Sequence, residues 1–180
     1  MKKILEGIGL LIVVSGLLIY SSARADEVPQ VGKPAPALNV KDQNGILQSL
    51  ENYRGKWLVL YFYPKDETPG CTAEACAYRD DIHKIQQLGA AVVGVSIDDA
   101  SSHAEFADHH HLPFPLLADQ DGALASRYGS VRSLMGYRLA RRNTFIIDPK
   151  GNIAKVYLNV DAEQNPGEVI TALKQLQAGY

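Results

Sequence analysis

Cysteine is nearly absent. Two stand in 180 residues, Cys71 and Cys76, with four residues between them, so the chain has no C-x-x-C pair. That absence excludes a disulfide-dense scaffold and removes the usual signature of a thiol–disulfide carrier. An excess of one charge is also missing: 18 Lys and Arg face 20 Asp and Glu, a net −2. A balance so near neutral argues against a nucleic-acid binder. The apolar run Gly7–Tyr20 is 14 residues long, with only Ser15 polar. A membrane-crossing helix needs about 20. There is no internal repeat and no low-complexity tract. The three consecutive histidines His109, His110 and His111 diverge around a helix end and form no i, i+4 pair, so no metal site is expected there.

What is present is one domain's worth of chain behind a distinct leader. Lys2 and Lys3, the apolar run and Ala23-Arg24-Ala25 follow the order of a secretory signal peptide with an A-x-A cleavage site. The organisation expected is a signal peptide at 1–25 and a single domain at 26–180. The alternative is an uncleaved anchor with the domain outside, the one way a membrane would enter. Residues 1–25 carry three basic side chains and one acidic, so the 155 residues after them are net −4. Export, to a periplasm or an equivalent compartment, would permit disulfides.

Along the mature chain, Ala37–Val40, the Asp42-Gln43-Asn44-Gly45 turn and Ile46–Leu50 read as a β-hairpin. Trp57–Tyr63 is an unbroken apolar and aromatic run, suited to a strand buried on both faces. Thr72–Leu88 reads as one long helix, with Gly89 as its C-cap. Ala90–Ile97 is a second buried strand, which makes a parallel βαβ unit. Ser102-x-x-Glu105 reads as a capping box opening a helix that ends near His110 and carries an exposed His103. Leu112–Leu117 is a short strand candidate and Gly122–Tyr128 a short helix. Ser130–Arg141 gives no clear pattern. Thr144–Asp148 and Ile153–Leu158 form a hairpin, and Asn165-Pro166 starts a last amphipathic helix with Val169, Ile170, Leu173 and Leu176 inward. The order βαβ, helix, ββ, helix is that of a thioredoxin-like α/β fold with a central mixed sheet.

The stretch with the most chemistry is Tyr61–Cys76, YFYPKDETPGCTAEAC. Pro64 stops the strand, Lys65 to Gly70 form a polar loop, and helix formers follow. Cys71 therefore falls at or near a helix N-terminus, where free N–H groups and the macrodipole favour an anion and so the reactive thiolate. In an intact helix a five-residue step gives a rise of about 7.5 Å and Cα atoms roughly 8–9 Å apart, beyond the ~7 Å that a disulfide tolerates. Either the two thiols never bond or the helix unwinds when they do. A permanent staple here would close a loop too short to stabilise much. Lys65, Asp66 and Glu67 are expected as a solvated loop, and Glu74 as a favourable dipole contact on the first helical turn.

Pro64-x-x-x-Thr68-x-x-Cys71 resembles the P-x-x-x-T-x-x-C motif of peroxiredoxins. The fuller string is similar to the Q-type, or bacterioferritin-comigratory, subfamily, and the likeness runs from about Val31 to the C-terminus. It implies a thioredoxin-like fold with an N-terminal hairpin. It implies a peroxidase acting on hydrogen peroxide and organic hydroperoxides, with a peroxidatic Cys71 and a resolving Cys76. The intramolecular disulfide would be re-reduced by a thioredoxin-like donor. Thr68 would orient the peroxide, Pro64 would wall off water, and the Gly70 and Cys71 N–H groups would complete the oxygen site. Arg142, leading into Thr144-Phe145, matches the family's active-site arginine, with Arg138 and Arg141 as rivals. The resemblance implies no cofactor and a monomer. Two other readings on the same fold are an exported thiol–disulfide oxidoreductase and a copper-binding assembly factor. The first normally carries C-x-x-C and the second a closer cysteine pair.

Overall fold

A strand that is apolar at every position needs cover on both sides, because alternate side chains point to opposite faces of a sheet. The computed structural model, which describes residues 27–179, supplies that cover from helices and loops around one central sheet. A hairpin comes first, β1 (Val40–Lys41) and β2 (Leu47–Gln48). The Asp42 carboxylate shapes its turn by accepting the N–H groups of Asn44 and Ile46 at 2.9 and 3.0 Å. β3 (Trp57–Phe62) leads into α1 (Pro69–Asp80), α2 (Ile82–Gln87) and β4 (Ala90–Ser96). Then come α3 (Ala100–His109), β5 (Leu116–Ala118) and α4 (Ala123–Arg127). The hairpins β6 (Val131–Leu134) with β7 (Tyr137–Ala140) and β8 (Asn143–Ile147) with β9 (Ile153–Tyr157) precede α5 (Asn165–Ala178).

The central sheet has the order β5-β4-β3-β8-β9. β3 runs parallel to β4 and antiparallel to β8, so the sheet is mixed and the fold is thioredoxin-like, as expected. β3 is buried along its whole length. Trp57, Val59, Tyr61 and Tyr63 pack with Tyr78, Ile85, Phe106 and Leu173 of the helices on one face. Leu58, Leu60 and Phe62 pack with Leu38, Leu124 and Tyr128 on the other. Each large apolar side chain buried this way contributes about 1.5–3 kcal/mol.

Tyr61 is the tightest fit. On β4, a Cβ at Gly94 would stand 2.8 Å from the Tyr61 hydroxyl and 2.7 Å from Leu116, so only glycine lets the ring lie there. The ring also stacks on Tyr78 of α1 at 4.7 Å between centroids. Tyr78 in turn donates its hydroxyl to Asn165 Oδ1 at 2.9 Å, and Thr144 donates to the same oxygen at 2.7 Å. One buried amide thus ties α1, β8 and α5 together.

Several elements differ from the sequence reading. The long helix divides at Asp81, whose φ of −94° and ψ of 2° leave the helical region. Asp80 and Asp81 are poor helix formers side by side, and Ile82 and Ile85 beyond the break both reach the core. α3 is capped by Asp99, which accepts the Ser102 N–H at 2.9 Å, and not by a box starting at Ser102. Asp is a strong cap and precedes Ser102 by three residues. The segment without a pattern, Ser130–Arg141, contains the β6–β7 hairpin. Its turn uses left-handed backbone at Met135 (φ 50°) and Gly136 (φ 83°), and methionine is no signal for such a turn. Among the described residues, no helix is long and apolar enough to cross a membrane. The expected leader at 1–25 lies outside the described residues.

Candidate active site

β3 ends against Pro64, and the chain needs six residues to start its next helix. Thr68 is the N-cap, with extended backbone, and Pro69 is the first helical residue, where its missing N–H costs nothing. Cys71 is therefore the third helical residue, inside the turn whose N–H groups have no carbonyl to bond. It is buried, at 1% exposure. Arg142 reaches it from the short β7–β8 connection: Nη2 lies 3.3 Å from Cys71 Sγ, and 3.4 Å from where a Cβ would stand on Gly70. The guanidinium and the helix end both favour negative charge on that sulfur.

Cys76 lies in the same helix, half-buried, and both thiols are free. Within α1 they are too far apart to bond. Among the three candidate arginines the geometry is selective. Arg138 donates to the Asp121 carbonyl at 2.7 Å and Arg141 to the Val131 carbonyl at 3.0 Å, so both are used elsewhere. Thr68 is half-buried beside the site, and its hydroxyl donates to the Lys65 carbonyl at 3.0 Å. Pro64 is half-buried and lines a groove of about 460 Å³ with Ile97, Leu134, Met135 and Tyr137.

Glu74 corrects the reading of it as a dipole contact. It is fully buried one turn after Cys71, and its Oε2 accepts a hydrogen bond from Arg142 Nη1. Its other oxygen, Oε1, has no hydrogen-bond partner among the described residues. Burial pushes the carboxyl up to about 7, and the Arg142 charge only partly offsets this. Burial acts to lower Arg142, but the charges of Glu74 and Cys71 and its hydrogen bonds to both outweigh it and hold the guanidinium above its ordinary value. One cation thus faces two potential anions. The sequence signal was available: Glu74 is at i+3 from Cys71, on the same helix face.

A pH dependence follows. The folded-state value of Glu74 lies above its ordinary 4.5, so the native state holds the proton more tightly than the unfolded chain. Its contribution to stability is complete below pH 4.5 and is lost as pH rises through about 7. The loss amounts to about 3 kcal/mol at 1.36 kcal/mol per pKa unit. Urea unfolding across this window should show the decline in the parent, and Glu74→Gln should flatten it.

Two further residues are not where the sequence reading put them. Asp66, expected in solvent, is 4% exposed, and His103, expected on an outer helix face, is fully buried. They face each other at 2.8 Å. Lys65 and Glu67, on either side of Asp66, are exposed as expected, and the Glu67 carboxylate meets His109 and His110 at 3.0 and 3.1 Å. Among the described residues no group of three or more His, Cys, Asp or Glu side chains could hold a metal ion.

A thioredoxin-like sheet presenting a buried thiol to a guanidinium, with a second thiol just over one turn further along the helix, defines a thiol-based oxidoreductase. Residues 31–156 match the AhpC/TSA family. The chloroplastic peroxiredoxin Q of Triticum aestivum is 42% identical over 146 residues, 81% of this chain and 67% of that one. Peroxiredoxin Bcp of Bacillus subtilis (strain 168) is 38% identical over 151 residues, 82% of this chain and 96% of that one. Among solved structures, peroxidoxin BcpB of Mycobacterium tuberculosis superposes with a TM-score of 0.77 at 30% identity, covering 82% of this chain and 97% of that one. A mutant of PrxQ from Xylella fastidiosa gives 0.76 at 29% identity, covering 83% and 98%. The chain belongs to the AhpC/TSA family, as a peroxiredoxin of the Q/Bcp type, and is a thiol-dependent peroxidase.

Proposed function

We propose that Cys71 is the peroxidatic sulfur and Cys76 the resolving one. The carrying observation is the 3.3 Å approach of Arg142 Nη2 to Cys71 Sγ. The Cys71 thiolate attacks one peroxide oxygen, the O–O bond breaks, and the other oxygen leaves as hydroxide or alkoxide, which takes a proton from solvent to become water or an alcohol. Cys71 becomes a sulfenic acid. Arg142 stays charged throughout and stabilises first the thiolate and then the charge growing on the peroxide oxygens. Thr68 orients the peroxide through a hydroxyl that both donates and accepts, the Gly70 and Cys71 N–H groups receive an oxygen, and Pro64 limits water beside the sulfur. Cys76 then attacks the sulfenic sulfur and water leaves, giving the Cys71–Cys76 disulfide. A thioredoxin-type dithiol reduces that bond by exchange and becomes a disulfide itself.

The bacterioferritin comigratory protein of Xanthomonas campestris, described as having alkyl peroxide reduction activity, superposes with a TM-score of 0.74 at 29% identity. We extend the same substrate class, with hydrogen peroxide, to this chain. The leader pattern supports export and removal of residues 1–25, leaving the 26–180 domain to work as a monomer outside the cytoplasm, or tethered to a membrane should the leader stay.

The test is mass spectrometry and hydrogen exchange on the mature protein with one equivalent of peroxide. The expected product is the Cys71–Cys76 disulfide, with protection lost over residues 71–77 and kept from Tyr78, which is pinned to Asn165. Unchanged protection with the disulfide present would remove the unwinding step; no oxidation at Cys71 would remove the whole assignment.

A further inference from the structure

The loop that carries Thr68 toward Cys71 is anchored at Asp66, whose carboxylate ties it to α3 and to the end of β3. Asp66 Oδ1 accepts the Tyr63 hydroxyl at 2.7 Å. Its Oδ2 accepts the Ser102 hydroxyl at 2.7 Å and His103 Nδ1 at 2.8 Å. Its backbone N–H donates to Asp98 Oδ2 at 2.9 Å. The four contacts come from the end of β3, from two consecutive residues of α3 and from the loop after β4. Burial pulls the Asp66 carboxyl up, but the His103 hydrogen bond and charge, with the two hydroxyls, outweigh it and hold it below the usual carboxylate range.

His103 is placed to do this. It lies fully buried, with Nδ1 against the carboxylate and Nε2 3.1 Å from the Leu117 carbonyl on β5. Both ring nitrogens face acceptors, so the imidazole satisfies both only with a hydrogen on each. A ring held between the Asp66 carboxylate and the Leu117 carbonyl is a directional tie, and it links the loop to the sheet edge through the helix between them. A buried ion pair is rarely the best way to gain stability, since hydrophobic replacements often do as well.

The next residue shows what the tie holds. Glu67 has left-handed backbone, φ 57°, which a non-glycine residue keeps only when its surroundings over-determine it. Asp66 fixes it on one side. On the other, the Thr68 hydroxyl donates to the Lys65 carbonyl and the Thr68 carbonyl accepts the Thr72 N–H at 2.9 Å, joining the loop to the first turn of α1. Arg142 reaches Cys71 from a separate segment, the β7–β8 connection.

We propose that Asp66 and His103 are positioning residues for peroxide attack: their buried pair holds the Lys65–Thr68 loop, and so the Thr68 hydroxyl, in line with Cys71, without setting the charge on the sulfur. The inference rests on Cys71 being the peroxidatic residue. The thiolate belongs to Arg142 and the helix end; the orientation of the incoming oxygen belongs to the loop. Loss of the tie should therefore separate two quantities that a general loosening would move together.

The experiment uses the full mature chain carrying Cys76→Ser, so that only the first chemical step is read. Stopped-flow kinetics give the second-order rate constant with hydrogen peroxide, and ultraviolet thiolate absorbance gives the charge state of Cys71. In that background, His103→Ala should slow the peroxide step about tenfold or more while the thiolate absorbance stays at the parent level. His103→Asn, whose amide can still donate to Asp66, should recover most of the rate. Should His103→Ala fail to fold, Ser102→Ala removes one donor from the same carboxylate and should slow the step about threefold in folded protein. A rate within twofold of the parent in the folded variants overturns the proposal. So does a fall in thiolate absorbance in parallel with the rate. A Cys76→Ser parent that fails to consume one equivalent of peroxide would instead sink the assignment of Cys71.

Discussion

Cys71→Ser is expected to abolish peroxide consumption, and Cys76→Ser to leave one turnover per chain when no reductant is present. The two results follow from the different settings of the two thiols. Cys71 is buried at the helix N-terminus with Arg142 on its sulfur. A serine hydroxyl there cannot act as the nucleophile, since it is not ionised in the working range and oxygen does not displace oxygen from a peroxide. Cys76, half-buried in the same helix, has no part in the first step. Without it Cys71 should still become a sulfenic acid, trappable with a dimedone-type reagent and exposed to further oxidation. Steady-state turnover with a thioredoxin-type donor should fall to the rate at which the donor attacks the sulfenic acid directly. A peroxide assay and mass spectrometry on both variants decide the matter; residual turnover in Cys71→Ser would contradict it.

Arg142→Met should carry the next largest effect, a loss of about 10²–10³ in the second-order rate with peroxide, the range found when one charge-stabilising donor is removed from a desolvated site. Methionine keeps much of the volume and removes the charge. Cys71 loses the guanidinium on its sulfur and Glu74 loses its donor. With nothing left to oppose burial, the Glu74 carboxyl should rise further above about 7 and stay protonated at neutral pH. Arg142→Lys should recover little, because one ammonium cannot reach Sγ and Glu74 together as the planar fork does. A decrease of under tenfold in Arg142→Met would place the stabilising charge elsewhere, and Arg138 and Arg141 would then need the same test.

Why some of this was legible and some was not comes down to distance along the chain. Cys71 could be placed at a helix N-terminus because every cue is local: an apolar strand, Pro64 near its end, Pro69 at the first helical position. Arg142 was legible only as one of three arginines. What selects it is the pairing of Phe62 on β3 with Asn143 on β8, which brings the residue before Asn143 to the strand end from which Cys71 emerges. Composition says nothing about that register. Glu74, Asp66 and His103 were misread for one shared reason. A charged residue is exposed by default, and their burial depends on partners far along the chain, 68 residues away for Glu74 with Arg142 and 37 for Asp66 with His103. The β6–β7 hairpin was missed because its turn rests on Met135 in a conformation usually left to Asn, Asp or Gly.

The interruption of the helix at Asp81 has a consequence for the oxidised protein. α2 opens its own hydrogen-bond series, with the Ile85 N–H on the Asp81 carbonyl at 3.1 Å, and its Ile82 and Ile85 are lodged in the core. Melting that begins at Cys71, as the proposed disulfide requires, would therefore meet a firebreak. The turns between the two thiols could then open and re-form at each oxidation while the rest of the molecule keeps its shape for the reductant.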